Sequence, residues 1–335
     1  MSKKIVLITG GTGYIWSHAV VAFEQAGYQT VILDSLINSS RDTLNGIEKI
    51  LGYYPDFYEC DIRDRGGLNN IFSRYEFDGV IHFAGLKVVK ESCDTVGHYH
   101  ENNISGSITL FSLMEDFWVR NIVFSSSATV YSSVNLSPIH EDMILDTTNP
   151  YWTTKFVIEK ILWDYAIQKN WNVINLRYFN PIGAHISGFI GEVSSGVPTN
   201  ILPYVLDVAI GKRKEVFIFG NDYNTPDGTG VRDYVDINDL VEAHVVAYSQ
   251  SMKLPWVYTY NIGTWRWISV LELIDEVSVV SGKNISISIA ARRKWDLPLV
   301  LADVSKIQKV LWWSAKYSFH DSIASAWKFI KNWVE

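Results

Sequence analysis

A glycine-rich segment near the N-terminus constrains the fold more than any other feature of this sequence. The letters GGTGYIWSH (10–18) follow the short apolar run KIVLIT and overlap SHAVVAFEQAG, which has helical spacing and stops at Gly27. The run QTVILD then predicts a second strand that ends on Asp34. A strand, a glycine turn, a helix and a second strand form a βαβ unit, and in that context a glycine turn indicates a dinucleotide site.

The alternation of strands and helices continues along the chain. Further predicted strands are GVIHFAG, NIVFSSSATVY and NVINLRYFN, and helical patterns precede the last two. This order predicts an α/β fold with a Rossmann-type doubly wound parallel sheet over residues 1–180. Beyond that point, loops rich in glycine, proline and asparagine separate shorter elements. We therefore expect a smaller α/β substrate domain over 181–335, with some segments interleaved.

The bulk composition argues against several classes of partner. The formal net charge of −7 gives no electrostatic reason to expect nucleic acid or an anionic membrane surface. No apolar stretch is long enough to cross a bilayer, and the N-terminal run is too short for a secretion signal. Two cysteines are too few for a disulfide framework, so we expect a cytoplasmic protein. The histidines lack metal-ligand spacing, and we expect no metal site.

The glycine turn suits the chemistry of a dinucleotide pyrophosphate. Its glycines let the backbone approach the phosphates, and the helix N-terminus supplies amide dipoles for their charge. Asp34 stands where an acid hydrogen-bonds the adenosine ribose hydroxyls, which favours NAD over NADP. The alternative is a tight turn with an incidental aspartate. Trp16 departs from the pattern, because it occupies the place of the third glycine in G-x-G-x-x-G.

The segment NPYWTTKFVIEK supplies candidate catalytic residues. Asn149 suits a helix N-cap and Pro150 the first helical position, so Tyr151 and Lys155 lie one turn apart on a helix face. A phenol with a pKa of about 10 is a poor base at neutral pH, and a nearby ammonium or cationic nicotinamide lowers that pKa. Ser127, near the end of a predicted strand, can bring a hydroxyl to the same crevice. The alternative is an ordinary helical tyrosine with a solvated lysine.

Longer segments connect the sequence with a known family. They are the glycine turn, FAGLK, ENN, FSSSATVY, PY..TK..IE, LRYFNPIGAH, GNDYNTPDGTGVRDY, YNIG, and RRK.DLP followed by AD. On these segments the chain resembles the nucleotide-sugar 4-epimerases of the extended short-chain dehydrogenase/reductase family over essentially its whole length. The resemblance implies an isomerase that interconverts UDP-glucose and UDP-galactose, with NAD as its tightly bound cofactor.

The resemblance also implies roles for individual residues. Tyr151 would be the general base, Lys155 would hold the nicotinamide ribose and tune Tyr151, and Ser127 would bridge the sugar hydroxyl and the phenol. The residues implied for NAD are Gly10, Gly13, Tyr14, Ile15, Asp34, Asn38, Ser39, Asp61, Ile62, Phe83, Ala84, Gly85, Lys87, Asn102, Ser125, Tyr151, Lys155 and Tyr178. The residues implied for the UDP-sugar are Ser127, Tyr151, Asn180, Asn200, Arg232, Arg293 and Asp296, with both arginines on the diphosphate.

The implied reaction removes and returns a hydride at C4 of the sugar. Tyr151 takes the C4 hydroxyl proton while the hydride passes to NAD, and the 4-ketose turns over and receives the hydride on its other face. A 4,6-dehydratase of the same family is one alternative, but Ala128 and Thr129 stand where that enzyme has an Asp-Glu pair. A non-catalytic NAD-binding sensor is another, although it needs no Tyr, Lys and Ser together.

Several tryptophans stand where the family pattern has glycine. They are Trp16, Trp118, Trp152, Trp265, Trp267, Trp295 and Trp312, and Trp171 is a further candidate. At Trp118 and Trp171 the chain passes from helix to strand, so we expect a left-handed residue at each. We hypothesise that UGA codons, which some bacteria decode as glycine, were translated here as tryptophan. Trp163, Trp256, Trp313 and Trp327 have ordinary contexts and are expected to be genuine.

Engineering or a truly degenerate enzyme would also explain these tryptophans. With tryptophan at all of these positions, the sequence predicts a catalytically impaired NAD- and UDP-sugar-binding protein. A mixture of ordinary UGG codons there would exclude misreading. Val300 lies at a position near the sugar pocket that varies in size within the family, and its modest volume leaves N-acetylated UDP-hexosamines as additional substrates. The resemblance further implies a homodimer through the apolar helices around 104–117 and 153–168.

Overall fold

The structure is a computed structural model that describes residues 3–193, 196–251, 256–293 and 296–334. Backbone contacts divide the chain into two compact units. Unit 1 comprises Met1–Ser132, Ile144–Arg177 and Val241–Tyr260, and unit 2 comprises Ser133–Met143, Tyr178–Leu240 and Asn261–Glu335. Each unit is therefore assembled from three separate segments of the chain.

The strands of the described chain are short, as expected where both faces of a sheet are covered. They are β1 (Ile5–Thr9), β2 (Gln29–Asp34), β3 (Asp56–Glu59), β4 (Phe77–His82), β5 (Asn121–Ser127), β6 (Asn172–Tyr178), β7 (Asn180–Ile182), β8 (Val216–Phe219), β9 (Val231–Arg232), β10 (Tyr234–Asp236), β11 (Val257–Ile262), β12 (Ile268–Ser269), β13 (Ile287–Ala290) and β14 (Leu299–Val300).

The helices alternate with these strands through the first half of the chain. They are α1 (Tyr14–Gln25), α2 (Asp42–Leu51), α3 (Arg65–Phe72), α4 (Val89–Asp94), α5 (Val96–His100), α6 (Gly106–Asp116), α7 (Pro150–Lys169), α8 (Ile201–Ala209), α9 (Ile237–Ser251), α10 (Val270–Ser281), α11 (Ser305–Leu311) and α12 (Phe319–Val334). A π-helical turn, Glu101–Ser105, joins α5 to α6, and a 3₁₀ turn, Ala128–Val130, follows β5.

The main sheet confirms the predicted Rossmann-type fold. Its strand order is β3-β2-β1-β4-β5-β6-β11, so the order of the first six strands is that of a doubly wound dinucleotide-binding sheet. The pairs from β3 through to β5 are parallel. Strand order reverses between β1 and β4, and in such sheets ligands bind beyond the carboxyl ends of the strands at this switch point. The turns after β1 and β4 are therefore the expected binding edge.

Unit 2 has its own small sheets and core. The pairs β7–β10, β8–β13 and β9–β14 are parallel, and β9–β12 is antiparallel. Val205 of α8, Leu273 and Val277 of α10 and Ile323 of α12 are fully buried and belong to one hydrophobic cluster. The apolar faces of these helices hold the short strands in place.

The backbone separates the suspect tryptophans into different groups. Trp118, Trp265 and Trp312 have left-handed φ values of 59°, 59° and 54°. The left-handed residue predicted at Trp118 is therefore confirmed. The same prediction at Trp171 is wrong, because the left-handed residue that ends α7 is Asn170, at φ 56°. Asparagine tolerates this conformation through local hydrogen bonding, so no glycine is needed one residue later.

Trp171 is a core residue. Its side chain is 1% exposed and lies against Tyr165, with ring centroids 4.5 Å apart, and against Phe111. In contrast, Trp118 and Trp312 are 75% and 88% exposed. Trp295 lies outside the described residues.

Candidate active site

The turn after β1 requires its first glycines for packing. Gly10 has φ 79°, and a Cβ there would lie 3.0 Å from the backbone nitrogen of Ala84. A Cβ on Gly11 would collide with the side chain of Ile32. Gly13 is the N-cap of α1 and has no side chain to bond the first helical amides. The turn thus presents backbone amides at a helix N-terminus, which is the geometry that binds phosphate.

Trp16 fills the space above this turn. Its indole lies so close to Gly13 that a Cβ on Gly13 would overlap the ring. The indole is 8% exposed and tilts against Phe83 at 6.1 Å between ring centroids. Its buried Nε1 has no hydrogen-bond partner among the described residues. Trp313 shares that last property, so the close approach to Gly13 is what distinguishes Trp16.

Asp34, at the end of β2, lines a pocket next to the glycine turn. Its carboxylate accepts hydrogen bonds from the Thr12 and Leu36 amides, at 3.0 and 2.9 Å, and from the Ser39 hydroxyl at 2.9 Å. The pocket brings together many of the residues predicted for NAD. It is lined by Gly10, Trp16, Leu33, Asp34, Ser35, Ile37, Asn38, Cys60, Asp61, Ile62, Ala84, Gly85, Leu86 and Asn102.

These lining residues fit the adenosine half of a dinucleotide. The carboxylate at the end of β2 suits the ribose hydroxyls of an adenosine. The apolar walls, together with Gly85, which has no side chain, suit its adenine ring. The pyrophosphate half fits only if residue 16 is small, because the indole occupies the space beside Gly13 at the start of α1. The structure thus supports a dinucleotide site that Trp16 obstructs.

Arg63 is a pocket neighbour that sequence reasoning missed. Its Nε and a terminal nitrogen donate to the two carboxylate oxygens of Asp61 at 3.0 and 2.7 Å, and its backbone amide donates at 2.8 Å. The side-chain hydrogen bonds of Arg63 hold the pKa of Asp61 below its usual value. Asp61 is therefore a fixed anion, and the i,i+2 spacing of Asp61 and Arg63 is the only sequence signal of this pair.

Helix α7 carries the candidate catalytic pair. Its predicted start is confirmed, because Pro150 is the first helical residue and the Asn149 side chain accepts from the Trp152 amide at 3.0 Å. One turn on, the Lys155 ammonium donates to the Ser125 carbonyl at 2.7 Å and lies 4.9 Å from the Phe124 ring centroid. These contacts point the ammonium at the end of β5.

Burial shifts the pKa values of both members of the pair. It raises the pKa of Tyr151 to about 12 and lowers that of Lys155 to about 8, while the Glu159 charge opposes the second shift. Without a further positive charge, Tyr151 is protonated at neutral pH and is a poor base. A cationic ring beside it would supply the missing stabilisation of the phenolate.

Ser127 ends β5, and its hydroxyl is already oriented. Its Oγ accepts from the Thr129 hydroxyl at 2.9 Å and from the Thr129 amide at 3.2 Å. Because Oγ accepts both of these bonds, its own hydrogen is available to another acceptor. Thr129, which sequence reasoning used only against a dehydratase, thus orients the candidate serine.

The remaining residues predicted for NAD follow the same strands. Phe83 and Lys87 lie in the loop after β4, Ser125 is in β5, and Tyr178 ends β6. Tyr14 and Ile15 open α1.

Unit 2 holds Asn180, Asn200, Arg232, Arg293 and Asp296 of the residues predicted for the UDP-sugar, whereas Ser127 and Tyr151 belong to unit 1. Arg232 forms an ion pair with Asp296 and donates to the Leu297 carbonyl at 2.9 Å. The Asp296 amide donates to the Arg293 carbonyl at 3.3 Å, so these three predicted residues lie together. Arg293 is exposed, and its guanidinium lies 4.1 Å from the Phe219 ring centroid. Arg232 would exchange part of its present pairing for a diphosphate.

Two further residues predicted for the sugar have other partners. The Asn180 amide donates to the Asp233 carbonyl at 3.1 Å, next to Arg232 in the chain. The Asn200 amide donates to Glu192 at 2.7 Å at the start of α8. Both residues retain a side-chain oxygen that these bonds do not use.

Fold and site together define a class. A doubly wound sheet with a glycine turn after β1, an acid at the end of β2 and a Tyr–Lys pair on the helix that follows β5 is typical of short-chain dehydrogenase-like nucleotide enzymes. The chain belongs to the NAD dependent epimerase/dehydratase family, whose family model matches residues 6–263.

Individual relatives agree with this membership. A UDP-glucose 4-epimerase of Bacillus subtilis (strain 168) is 45% identical over 325 residues, which cover 97% of this chain and 96% of the relative. The crystal structure of a UDP-glucose-4-epimerase from Stenotrophomonas maltophila with bound NAD and formylated UDP-arabinopyranose has a TM-score of 0.96 at 41% identity, covering 99% of both chains. One from Bifidobacterium longum in complex with NAD+ and UDP has a TM-score of 0.94 at 40% identity, covering 98% of both.

Other predicted features concern metals, thiols and membranes. Within the residues that the structure describes, no group of three or more His, Cys, Asp or Glu side chains could hold a metal ion. Cys60 and Cys93 are free thiols, and burial raises the pKa of Cys60 to about 11. Over the same described ranges, none of the helices combines the length and apolar character that crossing a membrane requires.

Proposed function

We propose that this chain is a UDP-glucose 4-epimerase that interconverts UDP-glucose and UDP-galactose with NAD as cofactor. The observation that carries the proposal is the α7 pair, in which Lys155 is fixed on Ser125 at the end of β5 and Tyr151 lies one turn away. Family membership and the relatives' activity support the same reaction. Ala128 and Thr129 supply no acid or base for the elimination that a dehydratase needs.

We assign the chemical steps to three residues. Tyr151 takes the proton from the C4 hydroxyl and later returns one, and Lys155 favours its phenolate by charge. Ser127, which is held by Thr129, donates a hydrogen bond to the sugar oxygen that changes charge. When bound, NAD supplies the acceptor and donor for the C4 hydride. Rotation of the 4-keto sugar between the two transfers then inverts C4.

Binding roles follow from the two units. Gly10, Gly13, Asp34 and Asn102 would hold NAD in unit 1. Arg232, Arg293 and Asp296 would hold the UDP group in unit 2, because a guanidinium binds phosphate oxygens in a bidentate manner. The remaining assigned residues are those that the sequence predicts for each ligand.

We further propose a homodimer in the cytoplasm. Ile108 of α6 and Trp163 and Ile167 of α7 are 42%, 46% and 43% exposed, and a four-helix contact would cover them. The free cysteines suit a reducing compartment. Sedimentation at micromolar concentration tests the dimer, and a monomer that persists there would exclude it.

Direct turnover tests the reaction. The purified chain with added NAD is incubated with UDP-galactose, and UDP-glucose is quantified by chromatography or NMR. We expect conversion to an equilibrium mixture with no net consumption of NAD, since hydride is returned in each turnover. Tyr151→Phe should reduce kcat by at least about 100-fold with little change in UDP binding. Consumption of NAD in proportion to product would instead indicate a dehydrogenase.

For the chain with tryptophan at position 16, the indole favours a second candidate function, which is UDP-sugar binding with little catalysis. Because it covers the phosphate turn, such a protein would bind UDP-sugar in unit 2 but turn it over poorly. The same assay run with Trp16 and with Trp16→Gly separates the two functions.

A further inference from the structure

Helix α7 carries an ionisable residue that the proposed reaction leaves unused. Glu159 lies one turn beyond Lys155, and its side chain is 6% exposed. Its partner is Arg177 of β6, whose side chain is 5% exposed. A buried ion pair is costly to desolvate, and apolar residues of similar size often stabilise a fold equally well. The pair therefore calls for a reason other than stability.

The contacts of the pair run to the strands beside the catalytic residues. The Glu159 carboxylate accepts from Nε and a terminal nitrogen of Arg177 at 3.0 and 2.7 Å, and from the Ser126 hydroxyl at 2.5 Å. Arg177 also donates to the Tyr131 hydroxyl at 3.0 Å and lies over that ring at 4.8 Å. Helix α7 is thus bonded to β5 and β6 through one buried carboxylate.

Each of the three consecutive serines of β5 has a different partner or role at the contact between β5 and α7. Ser125 accepts from Lys155 through its carbonyl, Ser126 donates to Glu159, and Ser127 presents the hydroxyl proposed to meet the sugar. Movement of Glu159 relative to β5 would therefore move Lys155 relative to Ser127.

We propose that Glu159 and Arg177 are positioning residues for the proposed epimerase. They fix α7 against β5, and their opposite charges leave no net charge on the side of α7 that follows Tyr151 and Lys155. Guanidinium and carboxylate together carry no net charge, and the ammonium of Lys155 is the cation one helical turn from the phenol. The inference rests on the proposed function, because it assigns Tyr151 and Lys155 their catalytic parts.

Other titratable groups also face the catalytic pair. His82 of β4 faces Lys155, and burial lowers the pKa of His82 to about 3, so it stays neutral. Tyr99 of α5 faces Tyr151, and its hydroxyl lies 3.3 Å from Glu91 of α4. Phe124 offers Lys155 only its ring face. Burial disfavours the charge of Arg177, but the hydrogen bond and charge of Glu159 outweigh this and raise its pKa.

Opposite charge variants test the charge balance. Glu159→Gln leaves the Arg177 cation uncompensated, so the phenolate is favoured and the acid limb of the kcat–pH profile should move to lower pH. Arg177→Met leaves the Glu159 anion and should move the limb to higher pH. Each shift should be about one pH unit, which is what a charge about 12 Å away, the rise of eight helical residues, produces at an effective dielectric constant of about 20. Combining both substitutions should restore the parent limb.

The Asp207–Arg213 pair of unit 2 provides the control. Its Asp207 is 6% exposed and the two side chains lie 3.0 Å apart. Asp207→Asn should cost stability and leave the pH profile at its parent position. The inference would be overturned if the acid limbs of the kcat–pH profiles of the Glu159 and Arg177 variants did not move in opposite directions.

A second readout covers variants that do not fold. If Glu159→Gln or Arg177→Met does not fold, Arg177→Lys or Ser126→Ala replaces it. Both of these substitutions keep the two charges and weaken the hydrogen bonds that hold Glu159. We expect kcat to fall about tenfold or more while KM for UDP-galactose stays within about twofold. A raised KM with unchanged kcat would overturn the inference. If the parent protein turns over no UDP-galactose with either residue at position 16, the proposed function has failed instead.

Discussion

Replacing Trp16 by glycine should convert the obstructed phosphate turn into a working one. The indole is buried over Gly13, where a pyrophosphate would meet the amides of the α1 N-terminus. Before a dinucleotide can bind, the indole has to leave this place. The substitution removes that step and leaves the remainder of the pocket unchanged.

The expected gain follows from the cost of moving the indole. A tryptophan buries about 150–250 Å² of surface, which at about 25 cal/mol per Å² gives about 4–6 kcal/mol to expose it. The unpaired Nε1 would regain a water hydrogen bond and return about 1–3 kcal/mol. The net penalty of about 1–5 kcal/mol corresponds to a Kd for NAD that is about fivefold to several thousandfold lower in Trp16→Gly.

Stability without cofactor should change in the opposite direction. Loss of a buried indole and a glycine within α1 together cost about 4–6 kcal/mol. We therefore expect Trp16→Gly to unfold at a lower temperature than the parent in the absence of NAD and to gain more from added NAD. Titration calorimetry and thermal unfolding, each with and without NAD, measure both effects.

A matched core variant separates the specific effect from mere loosening. Trp171 has the same side chain and is also buried, but its partners are Phe111 and Tyr165. Trp171→Gly should lose stability and gain no NAD affinity. If Trp16 and Trp16→Gly bind NAD with the same Kd, the indole does not obstruct the turn and the reasoning is refuted.

Three further predictions concern other positions. Replacing Trp118, Trp265 or Trp312 by glycine should raise the free energy of unfolding by about 1 kcal/mol each, because all three have a left-handed backbone, and unchanged denaturation midpoints would contradict this. Lys155→Met should stabilise the fold by about 3 kcal/mol at pH 7, because the lysine pKa is about 8 folded and 10.5 unfolded. Between about pH 8 and pH 10.5 the folded parent binds fewer protons than the unfolded parent, so the stability of the parent rises with pH. The stability advantage of Lys155→Met should therefore vanish above about pH 10.5. A difference in urea unfolding that stays constant with pH would contradict this prediction. Val300, paired with Arg232 across β14 and β9, should admit UDP-N-acetylglucosamine, and Val300→Tyr should abolish that turnover while retaining UDP-galactose turnover.

The fold was largely predictable because its signals are local and periodic. Buried parallel strands read as short apolar runs, and the helix start at Asn149 and Pro150 depends on residues adjacent in sequence. The division of the chain near residue 180 remains a prediction. The segments Ser133–Met143 and Val241–Tyr260 show why such a boundary is hard to read, since each belongs to a unit different from that of its sequence neighbours.

The site was less predictable where partners are distant in sequence. Tyr151, Lys155 and Asp34 lie in motifs whose spacing carries their chemistry. Glu159 and Arg177 are 18 residues apart, and their pairing depends on how α7 packs on β6. The role of Thr129 in orienting Ser127 depends on a 3₁₀ turn that a run of small residues does not reveal.

The tryptophans test how far sequence and structure constrain each other. At Trp118, Trp265 and Trp312 the indole is at least 45% exposed on a left-handed backbone, so it costs conformational energy and returns little burial. At Trp171 the backbone is not left-handed and the indole fills the core. A common misreading of glycine codons therefore predicts glycine at the three left-handed positions and at Trp16, and genuine tryptophan at Trp171.

Peptide masses from the protein made in its own organism decide this prediction. Glycine at the three left-handed positions and at position 16, together with tryptophan at 171, would match what the backbone and packing require. Tryptophan at all of them would mean that the chain tolerates these strains, and the epimerase assay with Trp16 would then decide whether it is still an enzyme. Glycine at 171 would contradict the structural division, because the core around Phe111 and Tyr165 would lose its largest side chain.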